Sequence, residues 1–316
     1  MSVTAAQTSN PYGEPTAHLF DAGAGPNIAW YEWGNPDGPV LFLCHATGFH
    51  AQVWRQTIAN LPEGYRIIAV DMCGHGHSDA DGFMTNWRDP VDDIIALIEA
   101  LDLHDIIGVG HSFGGMVTAT AATLIPERFA RLVLIDPVIL PPEAYANDAM
   151  TDFPHPSKHP MAKRRYEWHS VAEMVDRFAH RHPYDKWVPE ALADYCQYGL
   201  VPNPAGEGVV LACHPHFEAS IYMTSNSFRV HDDLHKINCP VKVLRAKQRT
   251  ELDPARIDFS LSPTWPVLAD KISQGVDIYL PQLTHFMPMQ DPQLVARLIA
   301  DPDYLAEDIT KHENVE

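Results

Sequence analysis

A glycine-flanked serine is where this chain first offers side chains able to do chemistry. In Gly110-His111-Ser112-Phe113-Gly114 a hydroxyl stands between an apolar run ending at Val109 and an alanine-rich stretch reaching about Leu124. A hydroxyl attacks a carbonyl carbon only when a nearby base takes its proton, and imidazole suits that transfer near neutral pH. The chain has 18 histidines. His285 is singled out because it follows the last strand-like run, Val276–Leu280, and leads into a helical stretch at Pro292–Ile299. A serine and a histidine so placed predict nucleophilic acyl transfer, with an acid required to hold the imidazole in its working tautomer.

The hydrophobic pattern shows which elements would carry these groups. Val40–Cys44, Tyr65–Val70, Asp105–Val109, Arg131–Ile135 and Val241–Ala246 read as strands, most of them continuously apolar, which suits a parallel sheet covered on two sides. Two shorter strand-like pieces, His18–Asp21 and Ile28–Trp33, precede them. Asp89–Leu103 repeats apolar residues at helical spacing, with acidic residues in its first turn. This alternation predicts an α/β fold, a doubly wound, mostly parallel sheet. From about Pro137 the rhythm fails, with aromatics and proline or glycine breaks, and Ser170–Ala179 and Pro189–Tyr198 are the best helices. The expected division is a core of 1–138 and 235–316 with a helical cap inserted at 139–234. A further helix is expected near Trp265–Ile272, before the last strand. Where the strand before Ser112 turns into a helix, the residues two before and two after the serine come close. Only small side chains fit there, hence Gly110 and Gly114.

Four landmarks, taken together, carry a resemblance: His45-Ala46-Thr47-Gly48, Asp71-Met72-Cys73-Gly74-His75-Gly76-His77-Ser78-Asp79, the turn at Ser112, and Leu283-Thr284-His285-Phe286. In this order they resemble the α/β-hydrolase family, in its capped branch of esterases, lipases and carbon–carbon hydrolases. The resemblance implies Ser112 as nucleophile and His285 as base. It implies oxyanion donors at the Phe113 backbone N–H and in the His45–Gly48 loop, where Thr47 is the choice and Ala46 the alternative. The acid is expected after the strand at Val241–Ala246, where Asp258 lies 27 positions before His285, a gap close to the family's. Asp136, closing Arg131–Ile135, is the alternative acid, and Glu251 and Asp253 trail.

The nine aromatics from Tyr166 to Tyr222 predict an apolar roof over Ser112, with Phe49, His111, Tyr166, Trp168 and Phe286 taken as pocket residues. The expected substrate is a carboxylic ester of small to medium hydrophobic or aromatic character. Alternatives are carbon–carbon bond hydrolysis of a ring-cleavage dienoate with the same three groups, and a small-molecule receptor that does not turn over. Aspartate-nucleophile chemistry is disfavoured by serine at position 112. No cofactor or metal is expected. His75-x-His77-x-Asp79 has no further ligand close by, and Gly108-x-Gly110-x-x-x-Gly114 has the wrong spacing for a dinucleotide loop.

The net charge of −19 repels nucleic acid and anionic lipid, so neither is an expected partner, and a homodimer is left open. No apolar run is long enough to span a bilayer, and the first residues carry no secretory signature. Five cysteines without a CxxC pair suit a reducing, cytoplasmic setting.

Overall fold

A computed structural model of the chain describes residues 11–21, 23, 25–80, 82–146, 150–249 and 258–304. Eight strands form one sheet in the order β1-β2-β4-β3-β5-β6-β10-β11. In chain order they are β1 (Thr16–Phe20), β2 (Ile28–Gly34), β3 (Val40–Cys44), β4 (Arg66–Val70), β5 (Ile106–His111), β6 (Phe129–Ile135), β10 (Val241–Arg245) and β11 (Gly275–Tyr279). β1 and β2 run antiparallel, and every pairing from β4 to β11 is parallel.

Alternate residues of the central strands feed two separate cores, which is why those strands read as apolar on both faces. Leu41, Leu43, Ile67, Ala69, Val109 and Val133 turn to one side. There they meet α1 (Arg55–Ala59) through Ile58 and α8 (Pro292–Ala300) through Val295 and Leu298. Phe42, Cys44, Ile68, Val70, Leu132 and Val243 turn to the other side. They pack on α2 (Asp89–Ala100) through Val91, Ile94 and Ile98, and on α3 (Phe113–Leu124) through Met116 and Val117. At about 25 cal/mol per Å² of apolar surface buried, these two layers dominate the stabilisation of the sheet.

Between β6 and β10 the chain leaves the sheet. This cap holds α4 (Val171–Ala179), α5 (Pro189–Tyr198) and α6 (Pro215–Met223). It also holds a second sheet of β7 (Glu167–Trp168), β8 (Leu200–Pro202) and β9 (Val209–Leu211), in the order β7-β9-β8. The cap is thus helical with a small sheet added, which the sequence did not show because strands of two or three residues are too short for alternation. The helix expected near Trp265–Ile272 is corrected, to a single 3₁₀ turn at Ala269–Lys271. A short helix, α7 (Met287–Gln290), lies between β11 and α8. Among the described residues no helix is long and apolar enough to cross a membrane.

One charge on this scaffold is out of place. Asp93 lies on the half-buried side of α2, where burial first, and then the neighbouring Asp89 and Asp92, push its carboxyl up to about 6. A carboxyl whose pKa rises on folding favours the fold when protonated and opposes it once ionised, so this contribution is lost as pH rises through about 6. Asp93→Asn is expected to raise the urea midpoint at pH 7.5, with the gain shrinking toward pH 4. An equal gain at both pH values would contradict this account.

Candidate active site

Ser112 sits at the junction of β5 and α3 with φ of 57°, a region that non-glycine residues rarely occupy. Its surroundings hold the turn in place. Ser112 N–H donates to the Ile135 carbonyl at 2.9 Å, and the Ser112 carbonyl accepts from Val138 N–H at 3.0 Å. A Cβ on Gly110 would stand 2.3 Å from the Gly114 carbonyl oxygen. One on Gly114 would stand 2.4 Å from the carbonyl oxygens of both Cys44 and His45. No side chain larger than hydrogen fits at either position, and Gly114 N–H instead donates to His45 O at 3.1 Å.

His285 reaches this corner from the segment after β11. Its Nε2 lies 2.9 Å from Ser112 Oγ, and its Nδ1 lies 2.7 Å from Asp136 Oδ2. Ser112 is 6% exposed, His285 7% and Asp136 0%. Asp136 directly follows β6, with φ of 46°. Its other oxygen, Oδ1, accepts from the Ser262 hydroxyl, from Thr264 Oγ1 at 3.1 Å and from Ala246 N–H at 3.3 Å. The buried carboxylate is thus satisfied on both oxygens, which a buried charge requires. The backbone of His285 is fixed as well. Its N–H donates to Ser260 O at 2.7 Å, and its carbonyl accepts from His111 Nε2 at 2.7 Å. Burial, and then the nearby His285, hold the His111 pKa well below its ordinary value, so His111 is a neutral donor here.

The loop at residues 45–50 runs beside this line of groups. Met72 N–H donates to His45 Nε2 at 3.0 Å, so the proton of this neutral, buried imidazole is on Nδ1, which donates to Ala46 O at 2.7 Å. Phe49 N–H reaches the same carbonyl at 3.1 Å. Two donors on the Ala46 carbonyl fix the peptide plane that ends in the Thr47 N–H. Among the described residues, the N–H groups of Ala46, Thr47 and Phe113 have no acceptor. Gly48 N–H goes to His75 Nε2 at 3.0 Å, and burial pulls the His75 pKa down to about 4.

A profile of the alpha/beta hydrolase family matches residues 40–298. The chain belongs to this family. As an alpha/beta hydrolase it is 30% identical to a non-heme chloroperoxidase of Streptomyces lividans over 69% of this chain and 77% of that protein. It is 23% identical to a bifunctional esterase/perhydrolase of Acinetobacter calcoaceticus, over 86% of this chain and 94% of that one. Its fold matches the crystal structure of an E-2-(acetamidomethylene)succinate hydrolase with a TM-score of 0.71 at 20% identity, covering 90% of this chain and 98% of that one.

In this alpha/beta hydrolase, Asp136 is the carboxylate that faces His285, so the preference for Asp258 is corrected. Asp258 Oδ1 instead accepts from Ser260 N–H at 2.9 Å and Ser260 Oγ at 2.6 Å. Partial burial works against its ionisation, but the Ser260 bonds outweigh that and hold its pKa below the ordinary value. Glu251 and Asp253 lie outside the described residues. Phe49, His111 and Phe286 do gather around His285: the Phe286 ring is 5.4 Å from it and His111 5.0 Å, and Phe49 is within 6.3 Å of both.

Tyr166 and Trp168 do not join this group, a second correction. The Tyr166 ring lies tilted 4.7 Å from His214, and Trp168 meets Phe178 edge-on at 5.5 Å, inside the cap itself. The cap rings that reach Phe49 are Trp187 at 5.8 Å and Tyr195 at 5.1 Å. Sequence reading missed Ser262 and Thr264, because hydroxyls in a loop carry no pattern. His75, His77 and Asp79 are engaged with Gly48, Tyr31 and Asn27 respectively.

Asp136→Asn is expected to lower kcat by about 10⁴, the cost of presenting the wrong imidazole tautomer, while Asp258→Asn changes it less than about twofold. Steady-state hydrolysis with both variants checks the order, and the reverse order would return the role to Asp258.

Proposed function

We propose that this protein is a serine hydrolase of carboxylic esters with small to medium hydrophobic or aromatic groups. The observation that carries the reading is the unbroken line from Ser112 Oγ through the His285 ring to Asp136, at 2.9 and 2.7 Å. In the proposed reaction Ser112 Oγ attacks the ester carbonyl carbon while His285 Nε2 takes its proton. Asp136 keeps the other ring proton on Nδ1 and stabilises the imidazolium that forms. The Phe113 N–H, at the start of α3, and the Thr47 N–H, on its pinned peptide plane, receive the oxyanion. His285 then returns the proton to the leaving alcohol. Water, deprotonated by the same ring, releases the acid and restores the serine.

The substrate class rests on the roof. Phe49, Trp187, Tyr195 and Phe286 form a continuous aromatic set beside His285, with Phe49 to Trp187 at 5.8 Å and Trp187 to Phe286 at 5.6 Å. Such surfaces favour flat or flexible apolar groups. The likeness to the bifunctional esterase/perhydrolase of Acinetobacter calcoaceticus supports ester chemistry.

Ser112→Ala is expected to abolish labelling by a fluorophosphonate probe and to cut kcat on a medium-chain p-nitrophenyl ester by about 10⁶. Peptide mapping of the labelled protein checks the position, and repeated turnover separates a hydrolase from a receptor. Label on another residue, or a strong preference for charged or sugar esters, would defeat the proposal.

A further inference from the structure

The cap carries an ion pair, with Glu218 buried and the Arg164 side chain 21% exposed, that the chemistry above leaves unused. Arg164, in the turn before β7, donates through Nη1 to Glu218 Oε2 on α6, and through Nη2 to the Tyr195 hydroxyl at 2.7 Å. Glu218 is 2% exposed. Burying the Glu218 carboxylate costs several kcal/mol, and the attraction of the largely covered Arg164 guanidinium repays this only when the geometry is good. An aliphatic pair would fill the space at no such cost.

The pair lies directly on the loop that presents Thr47. Gly48 has φ of +76°, and a Cβ there would stand 2.7 Å from Glu218 Oε1 and 2.8 Å from Arg164 Nη1. Its neighbours are held by the same part of the cap. The Tyr195 ring packs 5.1 Å from Phe49, and the Tyr195 carbonyl accepts from His50 Nε2 at 3.1 Å. Gly48, Phe49 and His50 therefore each meet cap atoms joined through Arg164. From the core side the same loop is held by His75 at Gly48 and by His45 at Ala46. The loop is gripped between two bodies, and the cap half of the grip is a charged pair with fixed directions.

We infer that Arg164 and Glu218 are positioning residues for the oxyanion loop: with the cap down, they hold Thr47–His50 so that the Thr47 N–H faces the reacting carbonyl. The inference rests on the proposed acyl transfer and deepens it.

The test separates positioning from stability, because replacing a buried ion pair with well-packed apolar residues is often neutral or stabilising for the fold. In the full-length Arg164→Met/Glu218→Leu protein, Tm should stay near the wild-type value while kcat falls about 10²-fold, the order of losing one oxyanion donor. A trifluoromethyl ketone that adds to Ser112 as an oxyanion-bearing adduct should lose affinity by the same factor as kcat. The matching methyl ketone, which binds without an oxyanion, should not. Glu218→Gln, nearly isosteric, provides a second variant and should show the same split between the two ketones. Wild-type kcat and ketone affinities in a folded variant of either kind would overturn the inference. If Ser112→Ala retained activity, the acyl-transfer reading itself would fail. A normal Ser112→Ala loss beside an unaffected double variant would remove the positioning role alone.

Discussion

The arrangement depends on one close approach, the first turn of α3 against the end of β3. Gly114 stands so near the Cys44 and His45 carbonyls that no Cβ can intervene, and its N–H bonds to His45 O. This contact fixes two things together. It forces Ser112 into its left-handed backbone conformation, and it sets the origin of the loop that carries Ala46 and Thr47. A backbone strain of order 1–3 kcal/mol at one residue persists only because the surroundings over-determine it. Here the surroundings are the backbone hydrogen bonds of Ser112 to Ile135, at the end of β6, and to Val138 just beyond it.

Much of this was legible in the sequence, and the reasons are physical. Small residues either side of Ser112 are a steric requirement, so they show as types at fixed spacing. The central strands show because each is buried on both sides, and β3 ends at the same residues in sequence and structure. The last strand and His285 show because the strand-like run Val276–Leu280 is followed within five residues by an imidazole and then by a helical stretch. The acid did not show in the same way. Asp136 and Asp258 both follow strands, and nothing in their own neighbourhoods says which of the two faces the imidazole. What decides it is tertiary: Ser262 and Thr264 turn back to bond Asp136, while Asp258 is drawn into a local turn by Ser260. The Asp258 turn still touches the site through its backbone, because the Ser260 carbonyl accepts from the His285 N–H.

The cap was visible as a break in rhythm but not in its internal order. Its aromatics fall into two sets that composition does not distinguish. Trp168 and Phe178 fill the cap's own interior, and Trp187 and Tyr195 lean on Phe49. Ring chemistry is the same in both sets, and only the short strands β7 to β9 and the packing of α4 on α5 assign them. The Arg164–Glu218 pair is likewise unreadable from a basic stretch at 158–165, because most charged clusters stay on the surface.

Ser112 and Asp136 both ride on one β5-α3-β6 unit, the most tightly knit piece of the sheet, whereas His285 arrives from the far side of the cap insertion. Their durabilities therefore differ. A local opening of the last stretch, with α8 peeling from its apolar seat, would withdraw the imidazole while the hydroxyl and carboxylate kept their places. The molecule would fall silent before it melted, and would recover as soon as that segment reseated.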